Sequence, residues 1–145
     1  KKYHLANLVG HPFETTLAAA QLIFSGVLEK YPGLKFCLSH GGGNLPYIRG
    51  RLDHGYRVRP ECKIGINKLP SHYLHNFYCD TITHFAPALE YLVKAFGANN
   101  VVLGTDYPYD MADSQAVSTI NKLEGVAAED KEKILGANAA RLFNI

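Results

Sequence analysis

No stretch of this 145-residue sequence is apolar for long enough to cross a membrane. The longest candidate, Leu17 to Phe24, is broken by Gln21, far short of the roughly 18 or more residues a span needs. The first ten residues, KKYHLANLVG, lack the apolar stretch and small-residue cleavage site of a signal peptide. Neither sign of charge dominates: 15 Lys and Arg against 13 Asp and Glu give a net charge of +2, too small to suggest a nucleic-acid or polybasic membrane partner. There is no internal repeat and no linker rich in Pro, Gly or Ser. The three cysteines, Cys37, Cys62 and Cys79, form no CxxC pair, and an odd number cannot all pair within one chain. Cys37 and Cys79 lie in apolar stretches, where buried thiols are expected. A reducing, cytoplasmic location is the simplest expectation.

What is present is ordinary globular material, with 47% hydrophobic and 19% charged residues. Pro12 and Glu14 open a helix expected to reach about Lys30, since Pro in a first turn costs no hydrogen bond and an acid there suits the helix dipole. Its Leu17, Ala20, Ile23, Phe24, Val27 and Leu28 follow the three/four spacing of a buried face. LKFCLSH then reads as a buried strand ending at His40 and turning through Gly41-Gly42-Gly43. A helix is expected from Leu45 to about Tyr56, followed by a charged loop between Pro60 and Pro70. A second strand spans Asn76 to Thr83, and a helix runs from Pro87 to Phe96. A third strand, Asn100 to Asp106, precedes helices over 114–123 and 128–143.

Apolar strands alternating with one-sided helices are the signature of a parallel α/β sheet. Three such strands leave two unpaired edges. A closed eight-stranded barrel takes about 250 residues, so the expected fold is the C-terminal half of a (β/α)8 barrel, with residues 1–145 as a single partial domain. A small open α/β sheet is the alternative. A chain that begins at Lys1 and enters a helical pattern almost at once reads as a piece of something longer, or as a trimmed form.

Reactive groups in such sheets gather where strands end, because those loops open on one face. His40 and Asp106 end the first and third strands and are expected to share a mouth. Histidine supplies a base that titrates near neutral pH, and aspartate an oxygen ligand for a divalent ion. The alternative for each is a turn-capping residue. Arg49, Arg51, Arg57 and Arg59 follow His40 closely. Arginine grips carboxylates in a two-pronged fork, so an acidic substrate is expected, although Arg49 and Arg57 read better as a solvated face. His72 and His75 would share a helix face but lack a third ligand. His54 is expected to pack on its helix, and His84 to end the second strand near the mouth or in solvent. Asp80 falls inside a strand, as a buried, hydrogen-bonded acid would. Neither Cys37 nor Cys79 has a base nearby in sequence, which argues against a thiol nucleophile.

Taken in order, ETTLAAAQLIFSGVLEKYPGLKFCLSHGGG, RGRLDHGYRVRPE, FYCDTITH, VVLGTDYP and GANAARLF resemble the amidohydrolase-related family. The nearest subgroup is the metal-dependent decarboxylases similar to aminocarboxymuconate semialdehyde and resorcylate decarboxylases. The resemblance implies a distorted (β/α)8 barrel with one divalent metal, zinc first and manganese second, at the C-terminal mouth. This chain would supply strands six to eight. By the same resemblance Asp106 is a metal ligand, His40 acts in acid/base chemistry beside the metal-bound water, Arg51 binds a substrate carboxylate, and Arg59 reaches across a dimer interface. The family's other ligands come from a His-x-His or Glu-x-His on the first strand and a His on the fifth. Neither pattern occurs in this sequence, and His11-Pro12 follows no apolar strand, so it is not the fifth-strand ligand.

A catalytic zinc needs three protein ligands, which the sequence does not supply. The leading expectation is the C-terminal part of an enzyme that removes carbon dioxide, without oxidation, from an aromatic or muconate-type carboxylate. Hydrolysis of an amide, ester or lactone uses the same ligands and stays open, as does a catalytically silent module that binds or assembles. The expected partners are a small-molecule carboxylate and either further copies of the chain or a separate N-terminal half.

Overall fold

The computed structural model describes residues 2–145. Its centre is a parallel sheet of three strands, β1 (Phe36–Leu38), β2 (Phe77–Asp80) and β3 (Val101–Val102), in the spatial order β1-β2-β3. Phe36 pairs with Phe77, Leu38 with Cys79, and Cys79 with Val101. Successive side chains in a strand point to opposite faces, so Leu38, Phe77, Cys79 and Val101 share one face and join the main core. The other face carries Cys37, Tyr78, Asp80 and Val102.

Helices precede, separate and follow the strands: α1 (His11–Phe24), α2 (Val27–Lys30), α3 (Leu45–Val58), α4 (Ala86–Phe96), α5 (Ala116–Lys122), α6 (Ala128–Glu132) and α7 (Asn138–Phe143). In α1, Thr16, Ala19 and Ile23 are buried, and in α4, Leu89 and Leu92. Both sets keep the spacing that lines up one face of a helix. Strands met in sequence order, each followed by a helix, are the wall of a parallel α/β barrel seen in part. Among the described residues no helix is long and apolar enough to cross a membrane.

Asparagines hold the end of the sheet where the strands begin. Asn76, almost wholly buried, donates its side-chain amide to the carbonyls of Pro32 at 2.9 Å and Leu34 at 2.8 Å. Asn100 donates to the Phe77 carbonyl at 2.9 Å. Asn138, with no exposed surface, donates to Ala98 and Val101, both at 2.7 Å, and so ties the last helix to the base of β3. Buried backbone carbonyls need such partners.

Several elements are shorter than the sequence pattern suggests. The helix expected to reach Lys30 breaks at Ser25-Gly26, where Gly26 turns left-handed at φ 77°. Its remainder is the single turn α2. The second and third strands stop early because side chains and more distant backbone take over their hydrogen bonds. Asp80 accepts from Ile82, the Thr81 hydroxyl bonds both the amide and the carbonyl of Gly104 at 3.1 Å, and Leu103 donates to Ile134. The last helix runs through a wider turn at Lys133–Ala137. Cys79 is fully buried, but Cys37 is exposed, contrary to expectation, because it sits on an edge strand and points away from the core.

The two hydrogen bonds of Asn138, to Ala98 and to Val101 of β3, yield a prediction. Asn138→Ala strands one buried and one partly buried carbonyl, so unfolding in urea should show a loss of about 2–3 kcal/mol with an unchanged denaturant slope.

Candidate active site

The HGGG segment follows β1 after one residue, Ser39. Gly42 donates to the Ser39 carbonyl at 3.1 Å and Gly43 to that of His40 at 2.9 Å, winding the chain into a tight turn. His40 takes a left-handed backbone conformation at φ 57°, as do His84 (φ 53°) after β2 and Asp106 (φ 59°) after β3. Such a conformation costs a residue with a side chain about 1–2 kcal/mol and persists where surrounding structure enforces it. One strained residue follows each strand, and all three border a single cavity of about 450 Å³. Pro12, Tyr47, Tyr91, Leu92 and Met111 form much of the remaining wall. The cavity is of small-ligand size, largely apolar with a few convergent polar groups.

What enforces the His40 turn is Asp80. Its Oδ1 accepts from the backbone N–H of Gly41 at 2.7 Å and of Ile82 at 3.0 Å, and its Oδ2 accepts from the N–H of His40 at 3.0 Å. Burial pushes the Asp80 carboxyl above the usual range, while the bonds from Gly41, Ile82 and His40 pull it back. The end of β2 is closely packed on both faces. A Cβ on Gly104 would lie 2.8 Å from the Asp80 Cβ, and one on Gly42 would lie 2.7 Å from the Cys79 sulfur. Desolvation first, around the buried Cys79 and around the sulfur of the otherwise exposed Cys37, and then the Asp80 charge raise both thiols. Neither is poised as a thiolate nucleophile.

The His40 imidazole sits beside His11, the first residue of α1, with ring centroids 6.2 Å apart. Its Nδ1 is buried and makes no hydrogen bond among the described residues.

The structure therefore brings His40 and Asp106 together as the sequence suggests, although both lie beyond their strands rather than at the last strand residue. It does not bring Arg51 or Arg59 to the cavity. Both are exposed, Arg51 on α3 and Arg59 just past its end. Tyr47 on α3 lines the cavity. At 1.5 Å per residue, Arg51 lies about 6 Å and Arg59 about 18 Å further along the chain axis. Arg49, read from sequence as solvated, is half-buried and donates to the Ala95 carbonyl at the end of α4. His54 is exposed rather than packed. His72 and His75 do approach, with ring centroids 5.4 Å apart, but both are exposed and no third ligand joins them. Sequence reasoning missed the clamp role of Asp80. Its signal was a lone acid in the otherwise apolar FYCD, a group that must find donors if buried.

Among the described residues no group of three or more His, Cys, Asp or Glu side chains could hold a metal ion. A protein site for a catalytic divalent ion uses three or more ligands. Asp106 is one carboxylate in the cavity wall, so the donors of this chain do not by themselves fit a metal.

The chain matches the amidohydrolase family model over residues 3–145. It is 37% identical to 2-amino-3-carboxymuconate-6-semialdehyde decarboxylase of Dictyostelium discoideum, over 99% of this chain and 40% of that protein. Among solved structures it resembles 5-carboxyvanillate decarboxylase from Sphingomonas paucimobilis, with a TM-score of 0.87 at 31% identity, over 100% of this chain and 44% of the other. It also resembles a dihydroxybenzoic acid decarboxylase from Polaromonas, solved with bound manganese and the inhibitor 2-nitroresorcinol. That match has a TM-score of 0.81 at 28% identity, over 92% of this chain and 40% of the other. The chain thus spans about two fifths of the length of these relatives, and its fold is part of an α/β barrel.

The packing of the glycine turn on β2 gives a double-variant test. Gly42→Ala should cost about 2–3 kcal/mol, from left-handed strain plus overpacking against the Cys79 sulfur. Combining it with Cys79→Ala should be less damaging than the two single losses added, by about 1 kcal/mol. Urea titration of the four proteins measures this.

Proposed function

Since the chain belongs to the amidohydrolase family, we propose that it is the proton-transferring part of a metal-dependent enzyme that decarboxylates an aromatic or muconate-type carboxylate without oxidation. The observation that carries this reading is the convergence of His40 and Asp106, each left-handed after a different strand, on one cavity of about 450 Å³. The relatives are decarboxylases by name, which supports the reaction class.

In this proposal His40 delivers a proton to the carbon that bears the carboxylate. The bond from that carbon to the carboxylate then breaks, its electron pair returns to the unsaturated system, and carbon dioxide leaves. Histidine suits the step because its ring gains and loses a proton near neutral pH. The apolar walls from Leu92, Met111 and Pro12 would exclude bulk water from the reacting carbon. Asp106 would contribute one ligand to a divalent ion, zinc or manganese, whose other ligands come from outside this chain. Such an ion would polarise the substrate and acidify bound water.

Arg51 and Arg59 stand exposed on α3 and just beyond it, away from the cavity of their own chain. Arg59 would serve a carboxylate in the cavity of a second copy, and Arg51 would grip a substrate carboxylate that extends beyond the described cavity wall. Residues 1–145 would act as one partial domain within a larger catalytic unit, and three free cysteines suit a cytoplasmic setting.

A catalytically silent assembly module is the competing reading, favoured by the shortage of metal donors among the described residues. Carbon dioxide release by the longer parent protein decides between them. His40→Ala should lower kcat by about 10²-fold or more with the fold intact by circular dichroism, and Arg51→Ala should chiefly raise KM. Near-normal turnover of the His40→Ala protein would overturn the reading.

A further inference from the structure

The Nδ1 of His40 finds no hydrogen-bond partner among the described residues. Its neighbour His11 stacks on the ring rather than bonding its edge. No side-chain hydrogen bond through that nitrogen therefore aims the imidazole, so its direction depends on the packing of its ring and on the backbone to which it is attached. That backbone is left-handed at φ 57°, a conformation that costs a residue with a side chain about 1–2 kcal/mol. One buried carboxylate grips both sides of the next peptide link, taking the N–H of His40 on Oδ2 and the N–H of Gly41 on Oδ1.

We infer that Asp80 is a positioning residue for the His40 proton transfer: by holding the two consecutive amides of the HGGG turn, it sets where the His40 ring points into the cavity. The inference rests on the reading of His40 as the proton carrier. Asp80 contacts neither substrate nor reacting atoms in this account and acts only through His40.

The division of labour between its two oxygens makes a selective probe possible. Oδ1 serves Gly41 and Ile82, while Oδ2 serves His40 alone. In Asp80→Asn the amide oxygen keeps the two-bond position, because the reversed orientation would forfeit two acceptors to save one. The side-chain NH2 then faces the His40 N–H, donor against donor. Asp80→Asn should release His40 while leaving Gly41 and Ile82 bound, whereas Asp80→Ala releases all three.

The first readout is amide hydrogen exchange by NMR on the 145-residue chain. In Asp80→Asn the His40 amide should exchange at least about tenfold faster, with Gly41, Ile82 and the β2 amides unchanged. The second is steady-state decarboxylation by the longer parent. Displacement of a catalytic group by an ångström costs on the order of 10²-fold, so kcat should fall by about that factor with KM little changed.

An Asp80→Asn protein whose His40 amide stays protected, or whose kcat matches the unsubstituted enzyme while His40→Ala is inactive, would overturn the inference. If the His40 amide is released as expected but the unsubstituted parent evolves no carbon dioxide, the clamp stands. In that case it is the decarboxylase reading that fails.

Discussion

A buried carboxylate with three backbone donors organises the functional end of this molecule. Asp80 lies at the end of β2, between β1 and β3, and its bonds reach the turn after β1 and the start of the loop after its own strand. Burying a carboxylate is costly unless it is hydrogen-bonded, so the cost of placing Asp80 there is met only if the HGGG turn folds against it. Gly104 closes the remaining side, where no Cβ would fit beside the Asp80 Cβ. The turn, the central strand and the loop after β3 therefore form as a unit, and His40 and Asp106 inherit their relative placement from it.

The opposite end of the sheet is held differently. Three asparagine amides satisfy carbonyls at the strand beginnings, and none of them borders the cavity. Stability functions thus sit at one end of the strands and chemistry at the other, the separation expected of parallel α/β architectures. Neutral amides suit the first end because carbonyls require donors and no reacting group needs a tuned charge there. The left-handed residues in the loops that follow the strands, with their conformational strain, lie at the second end, where His40, His84 and Asp106 face the cavity.

Much of this was legible in the sequence. The alternation of apolar strands with one-sided helices revealed a parallel sheet, and the positions of His40 and Asp106 at strand ends placed both in one mouth. The three/four spacing of the first helical segment marked Ile23 and Leu28 as inward, and both are buried, although Leu17 of the same set is exposed. Strand lengths were overestimated because FYCDTITH and VVLGTD remain β-like in composition after side chains of Asp80 and Thr81 have replaced the ladder bonds. Cys37 looked buried because its neighbours are apolar, but its strand lies at a sheet edge, which no local pattern reports. Arg49 looked solvated for the converse reason: its acceptor, the Ala95 carbonyl, is 46 residues away. The clamp on His40 spans 40 residues and was likewise beyond local pattern.

In the proposed function the site is divided: this chain would bring a proton-transfer histidine, His40, and one candidate metal carboxylate, Asp106, to the cavity, and the remaining metal donors would lie outside it. Calorimetric titration of zinc and of manganese into the metal-free 145-residue chain tests this most directly, with Asp106→Ala as the control. The account predicts no saturable binding of one ion per chain and no difference between the two proteins. One tightly held ion per chain, lost in Asp106→Ala, would contradict it and show that the chain completes the metal site with its own residues.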